Sequence, residues 1–94
     1  MKYNKGDIVC VWKFTKHYHR TKIKNVLEGF AKVIEQRPHK YVKIKWMKSP
    51  KHYPEHQQYY IESNDNLTLL IPAKNVSGKE DYKSLTILIK LKYS

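Results

Sequence analysis

The chain has 94 residues and carries 19 Lys and Arg against eight Asp and Glu, for a formal net charge of +11. This length fits one domain over residues 1–94 and leaves little room for a second. No apolar run reaches the ~20 residues that span a bilayer, and the N-terminus lacks the apolar core of a signal peptide. We therefore predict a cytoplasmic protein, either in its own cell or in the cytoplasm of a host.

The excess of positive charge predicts a polyanionic partner, and nucleic acid is the default. All of the basic residues except Arg20 and Arg37 are Lys. Because specific recognition favours the planar guanidinium of Arg, the Lys surplus predicts non-specific contacts with a phosphate backbone. An AT-rich coding bias explains the same surplus without selection for binding, and this alternative stays open.

The first strand is predicted over residues 8–14, after a turn at Lys5-Gly6-Asp7. Successive side chains of a strand alternate between its faces, and here both faces are partly apolar. We therefore predict a central strand. Cys10 is the single cysteine, so it cannot form an internal disulfide, and its apolar surroundings predict a buried, reduced thiol.

Residues 15–25 are the most basic stretch and contain no acid. Thr, His and Tyr are weak helix formers, so we expect a long exposed loop or a ragged hairpin. Residues 26–36 follow as a strand with a bulge or bend at Gly29, although several apolar residues there also satisfy a helical spacing. Residues 37–40 are then a short turn closed by Pro38.

The strand at Tyr41–Trp46 has the clearest alternation. Val42, Ile44 and Trp46 fall on a core face, and the two lysines between them fall on a cationic outer face. Residues 47–56 contain two prolines and are predicted as a second long loop.

Three further strands and a connector follow in the prediction. Strands are expected at residues 57–63 and 67–71, and a polar connector at 73–83. The last strand is predicted over residues 85–93, where apolar and polar positions alternate. Its inward residues are Leu85, Ile87, Ile89, Leu91 and Tyr93, with Lys90 and Lys92 outward.

Three segments, at residues 6–12, 29–34 and 41–46, resemble the SH3-like small barrels, a group that includes Tudor, KOW and chromo-type domains and the C-terminal domains of some integrases. The first segment opens with Gly-Asp before an apolar strand, as such barrels often do. The predicted fold is all-β: a small SH3-like barrel of five to six antiparallel strands with long basic loops and an extra C-terminal strand. Barrels of this kind bind DNA, RNA, methylated peptides and other proteins, so the resemblance by itself assigns no activity.

The basic surface is the first candidate site. Lysines at alternate strand positions lie about 7 Å apart on one face, close enough for several to contact one phosphate backbone. A solvated face that prevents edge-to-edge aggregation is the alternative. The predicted nucleic-acid-binding residues are Lys16, Arg20, Lys22, Lys24, Lys32, Lys43, Lys45, Lys48, Lys51, Lys90 and Lys92.

Aromatic residues among polar ones form a second candidate site. Stacking on unpaired bases is predicted for Tyr18, Tyr53, Tyr59 and Tyr60. Trp12 and Trp46 suit a cage for a methylated cation with Phe14 or Tyr60, but they share their faces with aliphatic residues, which favours core packing.

Histidines give a weaker pattern. His17 and His19 would suit zinc together with His52 and His56 if the two loops met. However, no Cys joins them and Pro54 prevents a helix from aligning the second pair, so no metal site is predicted. The acids are scattered and no nucleophile or phosphate-loop motif occurs, so we also predict no catalytic residue and no cofactor.

Taken together, these features predict a non-catalytic, non-specific nucleic-acid-binding protein, for DNA or RNA, acting as a monomer or homodimer. The small size and the coding bias suit a bacteriophage accessory factor. The alternative is a protein-interaction module or inhibitor that docks on an acidic host protein, or adds the strand at residues 85–93 to the edge of a partner's sheet.

Overall fold

The computed structural model describes residues 3–17, 20–38, 41–47, 58–62 and 67–93, with the backbone alone for residues 13–17, 20–26, 58–62 and 93. In these ranges the elements are β1 (Ile8–His17), β2 (Arg20–Gln36), β3 (Tyr41–Trp46), β4 (Gln58–Glu62), β5 (Leu67–Ile71), a 3₁₀ helix (Ala73–Asn75) and α1 (Tyr82–Tyr93).

The five strands form one antiparallel sheet in the order β4-β3-β2-β1-β5. The strand β1 lies between β2 and β5, so its predicted central position is confirmed. The predicted all-β fold is correct in part, because the described residues are mainly in strands but residues 82–93 form a helix. In the described residues the sheet is open, with β4 and β5 at its edges.

Apolar residues cover both faces of this sheet. The inner cluster lies on one face and contains Tyr3, Val9, Val11, Ala31, Val33, Val42, Ile44, Trp46 and Leu67. The helix-side cluster lies on the other face and contains Ile8, Cys10, Phe30, Leu70, Leu85 and Ile89. Both faces of β1 are therefore buried at residues 8–11, which explains why this part of the strand reads as a continuous apolar run.

A bulge interrupts the pairing of β1 with β2. Val11 pairs with Gly29 and Trp12 pairs with Leu27, so Glu28 is an extra residue on β2. A Cβ atom at Gly29 would lie 3.2 Å from Cζ3 of Trp46. The predicted bend is thus confirmed beside Gly29, where the missing side chain lets the indole ring lie close to the backbone.

The predicted turn before β1 is also present. Gly6 has a φ of 94°, which L side chains rarely adopt, and its N–H donates to the carbonyl of Val33 at 2.8 Å. The buried carboxylate of Asp7 accepts from the backbone N–H of Asn4 at 2.8 Å and of Ala73 at 2.7 Å. Asp7 therefore ties the N-terminal turn to the residues that follow β5.

The predicted C-terminal strand is wrong, because residues 82–93 form the helix α1. Leu85 and Ile89 are buried, whereas Ile87 is 54% and Leu91 is 74% exposed. Four-residue spacing puts Leu85 and Ile89 on one helix face, and the sheet supplies an apolar surface for that face. Burial of these two residues against the sheet thus favours a helix, although apolar and polar residues also alternate in this segment.

The predicted connector at residues 73–83 holds the 3₁₀ helix and the start of α1. At the start of α1, Ser84 N–H donates to Oδ1 of Asp81 at 2.7 Å, and Asp81 N–H donates to Oγ of Ser84 at 3.1 Å. This reciprocal cap satisfies N–H groups that have no partner within the helix. The backbone hydrogen bond from Ser84 lowers the pKa of Asp81.

Acid is expected to weaken the turn before α1. The carboxylate of Glu80 accepts from the N–H of Ser77, the hydroxyl of Ser77 and the N–H of Gly78 at 2.8–2.9 Å. These bonds, led by the backbone N–H of Ser77, lower the pKa of Glu80 from 4.5 to about 2. A lowered folded-state pKa contributes stability above the unfolded-state value, and this stability is lost as pH falls through the folded-state value.

The measurement is an NMR pH titration of the Glu80 side-chain carboxyl and the Ser77 amide. Both signals should titrate well below pH 4.5, and Glu80→Gln should abolish the step at Ser77. Titration of Glu80 near its ordinary value would contradict these hydrogen bonds.

Candidate nucleic-acid interface

Three predicted lysines lie on one face of the sheet. Lys32 pairs with Ile8, a member of the helix-side cluster, and with Lys45 across β2 and β3. Lys43 is two residues from Lys45 on the same strand and therefore on the same face. The prediction that Lys43 and Lys45 lie opposite the buried residues of β3 is confirmed, since Val42, Ile44 and Trp46 are in the inner cluster.

The register places Lys32 and Lys45 directly opposite each other. Their other neighbours across the sheet are Ile8 and Gln58, so the register supplies no acid beside this pair. Directly opposed residues have Cβ atoms about 4.5–5.5 Å apart, and like charges at that distance destabilise a sheet. Both lysines are half-buried, so their mutual repulsion is only partly screened.

An acid is present at the next pair along these strands. Glu35 pairs with Lys43, and Oε1 of Glu35 lies 3.5 Å from Nε of Arg37 with both side chains about half exposed. The positive charge of the face is therefore concentrated at Lys32 and Lys45, and is partly balanced beside Lys43.

Of the two alternatives predicted for residues 15–25, the hairpin is correct and the long loop is wrong, because residues 15–17 and 20–25 form most of a two-stranded ribbon. Residues 13–17 of β1 pair with residues 20–26 of β2. In the described pairing, β5 reaches only residue 11 of β1 and β3 reaches only residue 31 of β2. The ribbon thus extends past both neighbours, and a register shift between Lys16 and His17 agrees with the ragged hairpin that was the alternative prediction.

Four predicted binding residues lie on this ribbon, and the backbone places them on both strands. Lys16 pairs with Ile23, Thr15 with Lys24 and His17 with Arg20, while Lys22 lies between these pairs. Lys13, at the base of the ribbon, was not among the predicted binding residues, but it lies on β1 and pairs with Val26. It belongs to the same stretch without acids, between Asp7 and Glu28, as the four predicted residues.

The C-terminal lysines lie on the helix α1 and not on a strand. Lys90 and Lys92 were expected on one face of a strand, but two residues of a helix are ~200° apart around its axis. Lys92 instead donates from Nζ to the backbone carbonyl of Leu69 at 2.6 Å, which ties α1 to β5. Lys90 is exposed. The common outer face predicted for this pair is therefore wrong.

The two tryptophans lie on opposite faces of the sheet. Trp46 is in the inner cluster, whereas Trp12 packs against the helix-side cluster and its Nε1 donates to Oγ1 of Thr68 at 2.8 Å. A cage that contains both rings is therefore wrong, and the expected core packing is confirmed. Tyr59 and Tyr60 lie on β4, paired with Ile44 and Lys43, and base stacking by them stays a prediction.

Several predicted residues lie outside the described ranges: Tyr18, His19, Lys48, Lys51, His52, Tyr53 and His56. Cys10 is buried and free, as predicted, and burial raises the pKa of its thiol. A thiol buried in apolar surroundings is a poor nucleophile. Within the described part of the chain, no three His, Cys, Asp or Glu residues are placed to hold a metal ion.

No protein-family model, curated protein or solved structure compared with the chain matches it significantly. The likeness to SH3-like barrels therefore stays a prediction. Among the residues that the structure describes, no helix combines the length and apolar character needed to cross a membrane.

Proposed function

We propose that this chain is a non-catalytic protein that binds nucleic acid through lysine contacts to the phosphate backbone, without sequence preference. The observation that carries the proposal is the opposition of Lys32 and Lys45 across β2 and β3. Two cationic residues directly opposed across paired strands repel each other in the free protein. A phosphate bound between them replaces this repulsion with attraction, and it releases condensed counterions from the nucleic acid.

The bias toward lysine supports backbone contact rather than base recognition. An ammonium group acts as a point charge, whereas the planar guanidinium of Arg is preorganised for bidentate recognition. Such binding should weaken steeply as salt rises, by a slope of about 0.9 per phosphate neutralised on duplex DNA. No binding to any nucleic acid at low salt would reject the proposal.

Lys45→Glu is expected to weaken binding while it stabilises the fold. The substitution places a carboxylate opposite Lys32, so it changes a cross-strand repulsion to an attraction, worth roughly 0.2–1 kcal/mol. Binding should fall because that carboxylate then faces the phosphates. Urea unfolding measures the first effect, and fluorescence anisotropy with labelled random-sequence DNA measures the second.

Lys74→Glu is the matched control, because it makes the same change in net charge at an exposed position of the 3₁₀ helix. We expect Lys45→Glu to reduce affinity and the salt slope more than Lys74→Glu does. Equal losses would mean that net charge, and not this face, determines binding.

We also propose that the sheet belongs to an SH3-like barrel. The strand order β4-β3-β2-β1-β5 is a four-stranded meander whose fifth strand returns to the first, and the inner cluster collects residues from β1, β2, β3 and β5 on one face. An experimental structure tests this proposal. A flat sheet with β4 and β5 far apart would reject it.

A protein-interaction module is the second candidate. The exposed face of α1 carries Ile87 and Leu91 beside Lys83 and Lys90, a combination that suits an acidic protein with an apolar patch. The alternative of adding a strand at residues 85–93 to a partner's sheet is wrong, because those residues are helical. Capture from cell extract with and without nuclease separates the candidates, since a protein partner survives nuclease.

A further inference from the structure

We infer that the ribbon formed by residues 13–17 and 20–26 inserts into the major groove of double-stranded DNA. This inference rests on the proposed function and names its substrate class. The starting point is that the ribbon extends beyond β3 and β5, so its two strands pair only with each other in the described pairing. A two-stranded ribbon has few stabilising contacts of its own, and a partner that packs against it would stabilise it.

The dimensions of the ribbon fit that groove. Five residues of an antiparallel strand rise about 17 Å, and the two strands lie about 4.8 Å apart. The major groove of B-form DNA is about 12 Å wide and about 8.5 Å deep, which admits a two-stranded ribbon. The ribbon is therefore long enough to reach the base edges while the sheet stays outside the groove.

The same dimensions disfavour duplex RNA. Its A-form major groove is deep and too narrow for side chains to enter, and proteins contact duplex RNA mainly across the shallow minor groove. A ribbon that acts by insertion should therefore prefer duplex DNA. Single-stranded nucleic acid offers no groove, so it should bind more weakly than the DNA duplex.

The charge of the ribbon fits the walls of the groove. Between Asp7 and Glu28 the chain has no acid, and the basic residues are divided between the two strands: Lys13 and Lys16 on β1, and Arg20, Lys22 and Lys24 on β2. A ribbon in the groove has one phosphate strand beside each of its edges. Cations on both strands can then neutralise both walls, whereas a cationic face on one strand alone would track a single backbone.

The first test uses the unaltered protein. Dimethyl sulfate methylates guanine N7, which lies in the major groove, and adenine N3, which lies in the minor groove. With saturating protein on a random-sequence duplex several helical turns long, we expect protection of guanine N7 and unchanged methylation of adenine N3. Unprotected N7, or protection of adenine N3 alone, in a complex that persists would overturn the inference.

The second test compares two double variants that lose the same charge. Lys22→Gln with Lys24→Gln removes two cations from the ribbon, and Lys74→Gln with Lys79→Gln removes two exposed cations elsewhere. For duplex DNA, we expect the ribbon variant to reduce the salt slope by about 2 and the control to leave it nearly unchanged. Equal slopes in the two variants would overturn the inference.

The outcomes separate this inference from the proposed function. Absence of binding to DNA or RNA at low salt rejects both. Salt-dependent binding that is equally tight for duplex RNA, duplex DNA and single strands, with N7 unprotected, rejects the ribbon in the groove and leaves backbone binding intact. Far-UV circular dichroism identifies a variant that has lost its fold, and the protection experiment does not depend on any variant.

Discussion

Asp7→Ala is expected to lower the free energy of unfolding by about 2–4 kcal/mol, because hydrogen bonds to a charged group contribute about 1.5–3 kcal/mol each. The substitution removes both acceptors of the buried carboxylate, which bind the backbone N–H groups of Asn4 and Ala73. Asn4 is exposed and can bind water instead, so most of the loss comes from Ala73, which is half-buried.

Urea unfolding with a shared slope measures this loss. The stability of Asp7→Asn should lie between those of the unaltered protein and Asp7→Ala, because an amide keeps one acceptor but turns an N–H₂ group toward a second donor. Asn4→Ala is the control, since its backbone N–H is retained, and it should change stability by no more than about 0.5 kcal/mol. A loss for Asp7→Ala as small as the control would show that the carboxylate does not join the turn to the segment after β5.

Leu85→Ala is expected to destabilise the protein by about 2–5 kcal/mol, the usual range for a buried Leu. The Leu85 side chain is 1% exposed and packs in the helix-side cluster with Ile8, Cys10 and Phe30. Phe30 also contacts Tyr82 edge to face, with ring centroids 5.6 Å apart. A cavity at Leu85 would therefore weaken the packing of α1 against the sheet.

Leu91→Ala makes the same chemical change at a position that is 74% exposed, and it should alter stability by no more than about 0.5 kcal/mol. The pair distinguishes a helix from a strand, because a strand over these residues would bury Leu85 and Leu91 on the same face. Similar losses for both variants would contradict the helix.

The sheet was largely predictable because its strands have local signals. Gly6-Asp7 marks the turn before β1, Gly29 adjoins the bulge in β2, and alternation in Tyr41–Trp46 separates core residues from lysines. Hydrogen-bonded pairing within a sheet reinforces each of these local preferences. The prediction for the C-terminal segment was wrong because its apolar residues satisfy both the period of two of a strand and the four-residue spacing of a helix.

The candidate site was predictable in composition but not in arrangement. Lys32 and Lys45 were both expected to bind nucleic acid, yet their direct opposition depends on how β2 and β3 pair. The basic stretch at residues 15–25 was expected to bind, yet its extension as a ribbon depends on where β3 and β5 stop. Neither the register nor the ends of neighbouring strands can be read from one strand at a time.

The amino-acid sequence by itself determined that the protein is rich in strands, strongly cationic and free of acids between Asp7 and Glu28, because charge and strand preference are properties of single residues and short segments. Only the tertiary structure decided that residues 82–93 are helical and that Lys32 meets Lys45. The physical reason is that both outcomes depend on surfaces distant in sequence: the apolar face that buries Leu85 and Ile89, and the register between separate strands.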